Sequence, residues 1–217
     1  MRYLYLALFI ISSVVHLYGS YINNRKIRAW SKGFILLGLL GWYCCSALSF
    51  SWIVVVAILA SWLGDILLIP RGIKWFTAGG VSFMVSHFFF ALVYWPNIDF
   101  SRVPVWAVII AGIFYCTIVV FVFRGLRPHL PHGLFYPMFL YLLINGTMNC
   151  FALYQLMSIP CAATIVTFIG AVLFFTSDSI LFYVRFKKDS VWKNHFLVML
   201  TYIFAEFLIV QGIMMLS

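Results

Sequence analysis

The sequence is poor in charge. Asp, Glu, Lys and Arg make up 9% of its 217 residues, against about 25% in a soluble domain. Hydrophobic residues reach 65% and the mean hydropathy is +1.07. A chain with so little polar surface cannot cover itself for water, so its solvent is lipid and a soluble globular domain is excluded. It also lacks any polar stretch long enough for an extramembrane domain, so residues 1–217 read as a single transmembrane domain. The cysteines carry no metal-ligand spacing and are odd in number. Cys44, Cys45, Cys116, Cys150 and Cys161 all lie in apolar runs and are expected to be small core residues. Scarcest of all are the acids, five in the whole chain.

What the sequence does contain is a series of eight apolar runs, at 3–22, 32–49, 51–70, 75–95, 105–123, 134–153, 159–184 and 195–216. At roughly 20 residues per span, the expected fold is all-α and polytopic, with about eight transmembrane helices. The division between the second and third runs, at Ser49–Ser51, is the faintest. Prolines mark most ends, and Pro137 falls in the first turns of the sixth helix, where its missing N–H does little harm.

The net charge of +9 does not indicate nucleic acid, because the basic residues are confined to short connections between apolar runs. Twelve of the 14 Lys and Arg fall in alternate loops, the first, third, fifth and seventh, while Arg2 and Arg102 face the other way. By the positive-inside rule those four loops are cytosolic and both termini are not. The expected location is therefore a cellular membrane, crossed many times (the cytoplasmic membrane in a bacterium). The first run contains His16, lacks a small-x-small cleavage site and precedes Arg25, Lys26 and Arg28. It is expected to stay as a helix rather than act as a cleaved signal.

Three acids fall inside apolar runs: Asp65, Asp178 and Glu206. Asp99 and Asp189 fall in loops. An ionisable group within a membrane helix costs several kcal/mol and points to function, although a hydrogen-bonded packing role is the plainer alternative for each. Asp65 lies five residues before Pro70 and Asp178 six before Val184, on helices running the same way. Both carboxylates should sit roughly 8–9 Å inside the basic face. His16 falls at a similar level, and His87, Asn145 and Glu206 lie deeper. The segments Leu63-Gly64-Asp65-Ile66-Leu67-Leu68 and Thr176-Ser177-Asp178-Ser179-Ile180-Leu181 share a small residue before Asp and Leu three after it. A four-plus-four parallel repeat would make them symmetry mates.

These segments, with Phe83-Met84-Val85-Ser86-His87 and Tyr202-Ile203-Phe204-Ala205-Glu206, resemble the YhhN-type lysoplasmalogenase family of integral membrane hydrolases. Lys32 resembles the family's lysine at the start of the second helix, although Gly33 follows where the family often has Pro. Glu206 stands where the family often has Gln. The resemblance implies cleavage of the vinyl-ether bond of lysoplasmalogens, giving a fatty aldehyde and glycerophosphoethanolamine or glycerophosphocholine. It implies no metal and no organic cofactor, and a lysophospholipid substrate; the placement of Asp65 and Asp178 at one depth makes them the expected catalytic pair.

Vinyl-ether hydrolysis begins with protonation of the carbon β to oxygen, giving an oxocarbenium ion that water then attacks. Two carboxylates, one protonated and one ionised, can supply the acid, the counter-charge and the base, as they do in glycosidases. Lys32, His87, Asn145, Tyr202 and Glu206 are the candidate substrate-binding residues, with Asn149 and Gln211 as weaker ones. Arg71, Lys74 and Arg185 are further options for the phosphate. For the basic residues a purely topological role is the simpler alternative, and for His87 a packed core histidine. A proton-coupled transporter of a small or lipidic solute would use intramembrane acids and a repeat equally well, and a structural membrane partner would leave the acids without a pocket.

Overall fold

A computed structural model describes residues 1–187 and 195–216. Asp189, placed above in a loop, and Lys188 and Lys193 of the seventh loop lie outside the described residues. Among the described residues the chain forms eight α-helices and no strand: α1 (Arg2–Tyr21), α2 (Arg25–Ser46), α3 (Trp52–Leu67), α4 (Ile73–Tyr94), α5 (Val105–Leu126), α6 (Phe135–Ser158), α7 (Ala162–Phe186) and α8 (His195–Leu216). The fold is that of an all-α polytopic membrane protein. Six helices, α1 and α4 to α8, are long and apolar enough to cross a bilayer. The other two fall short of the expectation of eight full spans. The first two turns of α2 carry Arg25, Lys26, Arg28 and Lys32. The 16 residues of α3 reach about 24 Å at 1.5 Å per residue, less than the roughly 30 Å hydrocarbon core.

Where helix and apolar run differ, the helix usually outlasts the run. Hydropathy places the start of the second run at Lys32, yet α2 begins seven residues earlier. The Asn24 side chain caps it, accepting hydrogen bonds from the Lys26 and Ile27 backbone N–H groups at 3.0 and 3.3 Å. Side-chain capping of orphan amides sets the helix start, whereas hydropathy sees only the part that meets lipid. The faint break before α3 is held by Tyr43, which is buried. Its hydroxyl accepts from the Ser51 backbone N–H at 2.9 Å, fixing the residue that precedes α3.

Helices α2, α3, α4, α6, α7 and α8 contact one another in that order, and α8 returns to α2. They form a closed ring of six. Outside it, α1 packs on α2 and α8, and α5 on α6 and α7. The neighbour order α2–α3–α4 recurs as α6–α7–α8, and the contact of α4 with α6 has its counterpart in that of α8 with α2. This is the relationship a four-plus-four parallel repeat produces. Close approach within α7–α8 depends on small residues: a Cβ on Gly170 would lie 2.8 Å from the Ile209 nitrogen and 2.9 Å from the Ala205 oxygen. Small residues at such contacts let membrane helices gain dispersion energy that lipid cannot supply. The cysteines are not core residues throughout. Cys44, Cys45 and Cys116 are exposed, and all five are free thiols. The outer helix faces are bathed in lipid, where a small apolar thiol is tolerated as well as in the core.

Candidate active site

Asp65 stands in the last turn of α3 and Asp178 about two turns before the end of α7. Both line one cavity of about 400 Å³. Its other residues come from the ends of α1, α2, α3, α4, α7 and α8 at the face that carries the basic loops, including Arg25, Arg28, Lys32, Arg71, Arg185 and His195. The cavity is acidic at its floor and basic at its mouth. Asp65 is 1% exposed and Asp178 4%, so each carboxyl is largely out of water and requires partners.

Asp65 has them on both oxygens. Lys32 Nζ lies 3.0 Å from Oδ1, and the Tyr202 hydroxyl donates to Oδ2 at 3.0 Å. Asp178 is held differently. The Tyr141 hydroxyl donates to Oδ2 at 2.6 Å and the Asn145 amide at 2.7 Å, while His87 Nε2 lies 3.3 Å from the same oxygen. Among the described residues no donor reaches Oδ1. The Asn145 amide is itself oriented, because its oxygen accepts from Asn149 Nδ2 at 3.1 Å and Asn149 Oδ1 accepts from the Tyr115 hydroxyl at 3.2 Å. His87 Nδ1 is buried without a partner.

The partner sets correspond across the repeat. Asp65 on α3 is held from α2 and α8, and Asp178 on α7 from α6 and α4. Lys32 and Asn145 each precede their aspartate by 33 residues. One half-site therefore contains a lysine, and the other a tyrosine, an amide and an imidazole.

Of the residues singled out from sequence, Asp65, Asp178, Lys32 and Tyr202 line the cavity. His87 and Asn145 stand behind it and touch it through Asp178. Glu206 is fully buried and does not line it. Its carboxyl lies beside the Ser61 and Tyr202 hydroxyls, without a well-formed hydrogen bond to either oxygen. Ser61 is bonded instead to Ser86 at 2.7 Å. Asn149 acts one shell further back through Asn145, and Gln211 is not part of the cavity wall. Arg71 and Arg185 are at the mouth and Lys74 is not. Lys32 is spoken for by Asp65, which leaves the arginines as the free cations among the described residues of the wall. The sequence reading missed Tyr141, the closest partner of either acid. Its four-residue spacing from Asn145 places both on one face of α6, a sign available in the sequence. It also missed Arg28 at the mouth, because the start of α2 was set too late. Among the described residues no group of three His, Cys, Asp or Glu could hold a metal ion.

Comparison with curated proteins and with solved structures gives no match. The model of the YhhN family matches residues 27–213, a stretch that begins near the start of α2 and ends in α8. It therefore takes in the whole ring, both aspartates and every partner described for them. The chain belongs to the YhhN family.

Proposed function

We propose that this protein hydrolyses the vinyl-ether bond of lysoplasmalogens, releasing a fatty aldehyde and a glycerophosphodiester. The observation that carries the reading is that two acids from different halves of the chain line a single cavity at the boundary between apolar helices and a basic mouth. A lysolipid has its cleavable bond at that same boundary, between one apolar chain and a phosphate head. Membership of a family that includes lysoplasmalogenases supports it further.

The two partner sets suit different roles. Asp65, paired with Lys32, is kept as the carboxylate. Among the described residues Asp178 has no lysine or arginine at its carboxyl and no donor on Oδ1, which suits it to the role of the acid, with the proton on that oxygen. Asp178 gives that proton to the β carbon of the vinyl ether and becomes a carboxylate. Asp65 stabilises the oxocarbenium ion and accepts a proton from the water that adds to it. The hemiacetal then collapses: protonated Asp65 returns its proton to the glycerol oxygen, and the hemiacetal hydroxyl returns one to Asp178. One water is consumed and both acids end as they began. Positioned acid catalysis of this kind is worth about 10²–10⁴ in rate. Arg28, Arg71 and Arg185 at the mouth are suited to the phosphate, by charge and by forked donor geometry. The cavity wall is drawn from one end of the bundle, which favours a one-sided pocket over a carrier's path through the membrane.

The decisive experiment is mass spectrometry of the purified protein incubated with a vinyl-ether lysophospholipid. Aldehyde release that Asp65→Asn and Asp178→Asn each abolish is the expected result. Release that survives in both variants removes the pair from the mechanism, and no release by the parent protein removes the activity.

A further inference from the structure

A lysolipid in one leaflet carries a chain that reaches about 15 Å, half the hydrocarbon thickness. A cavity of about 400 Å³ is the size of a small-molecule site and takes the head and the reacting bond, with little room for the rest. The remainder of the chain has to leave through the wall.

One apolar seam, nearly closed at about 30 Å³ so that its side chains must part to admit a chain, meets that wall. It runs between α4 and α6, and Phe76 lines both it and the cavity. Its lining includes Gly80, Met84, Met138 and Phe182, together with Tyr141, whose hydroxyl is on Asp178. Among the described residues it carries no charged side chain, and the Thr77 hydroxyl in it is satisfied by the Ile73 carbonyl at 2.9 Å. It opens outward at Val81, which is 47% exposed. At Gly80 an added Cβ would meet nothing within 4 Å. Depth agrees as well. Gly80 is seven residues into α4 and Asp178 eight from the end of α7, so both lie roughly 10–12 Å from the same face.

We infer that the α4–α6 seam seats the single aliphatic chain of the substrate, with Phe76 as the partition between chain and acids. The inference rests on reading the cavity as a lysolipid site. Phe76 packs edge-on against Phe182 and Phe186, at 6.0 and 5.3 Å between centroids, and the Arg185 guanidinium covers its ring at 5.4 Å. A phosphate drawn to Arg185 at the mouth takes that cover away and frees the ring to swing. Met84 and Met138, unbranched and adaptable, give way to an alkyl chain without repacking the backbone.

The test uses the full chain in phosphatidylcholine nanodiscs with a non-hydrolysable alkyl-ether lysophosphoethanolamine carrying a diazirine in mid-chain. Labelling is expected on the peptides holding Val81, Met84 and Met138. Gly80→Leu should cut it about tenfold, since several methylenes lose their burial. Gly112→Leu, at an equally open position on α5, should leave it unchanged. Label confined to Leu68 and Met199, spread over outer faces such as α5, or indifferent to Gly80→Leu overturns the inference. Aldehyde release from a vinyl-ether substrate, measured alongside, separates the two readings. Label at the seam without aldehyde retains the chain site and discards the hydrolase; aldehyde without label does the reverse.

Discussion

Lys32 and Asn145 occupy matching places in the two halves of the bundle, each 33 residues before an aspartate and each bonded to it, at 3.0 and 2.7 Å. One is a cation and the other a neutral amide. That single difference breaks the symmetry of the site, and in the proposed mechanism it gives the two carboxyls different work.

Lys32→Met should therefore damage the fold before it damages binding. It leaves the Asp65 carboxylate buried with only the Tyr202 hydroxyl, a loss of about 3 kcal/mol or more by the usual cost of breaking a buried pair. Thermal unfolding in detergent should show the drop. Adding Asp65→Asn to Lys32→Met should restore much of it. A double variant as unstable as the single would mean that the pair is not what Lys32 contributes.

Tyr141→Phe removes the shortest hydrogen bond to Asp178 and little volume. Asn145 and His87 remain, so the helix packing should hold. Losing one buried bond to a charged or partly charged group, worth about 1.5–3 kcal/mol, should lower kcat roughly 10- to 100-fold with KM nearly constant. A KM effect alone would place Tyr141 in substrate contact instead.

At the mouth the expectation is reversed. Arg71→Gln and Arg185→Gln should raise KM for a phosphate-bearing substrate and leave kcat close to the parent, the pattern of lost uniform binding. The effect should shrink as salt is added, because charges open to water are screened. Steady-state kinetics at two ionic strengths measures both.

Packing makes its own prediction. Gly170→Ala would bring a methyl within 2.8 Å of the Ile209 nitrogen on α8. Backbone cannot yield as a side-chain tip can, so α7 and α8 must part, at about 1–3 kcal/mol for overpacking. A lowered melting temperature is expected, with loss of turnover as Tyr202 draws away from Asp65. Gly80→Ala, with open space around it, should melt like the parent protein.

Much of this arrangement could be read from the chain. Lipid as solvent follows from 9% charge, and the depths of Asp65 and Asp178 follow from Pro70 and Val184. The ring of six could not, because apolar runs say where helices cross and nothing of which ones touch. Lys32 was legible as a residue of interest and not as a partner of Asp65: the two are 33 positions apart, across a turn whose geometry depends on Tyr43. Tyr141 was hidden among 12 tyrosines and 23 phenylalanines, most of them packing or facing lipid. Only its place one turn from Asn145 set it apart. Glu206 read as a wall residue because its rarity is visible in the sequence, whereas the direction it faces is decided by how α8 seats between α7 and α2.

In both half-sites a donor to the acid sits on the helix just before it, Lys32 on α2 for Asp65 and Asn145 with Tyr141 on α6 for Asp178. Synthesis runs from the N-terminus, so each carboxyl enters the bilayer with its chaperoning group already delivered. Neither has to cross hydrocarbon alone, where an isolated acid costs several kcal/mol. The second donor to Asp65, Tyr202, comes only with α8, so the chamber stays incomplete until that helix has been made.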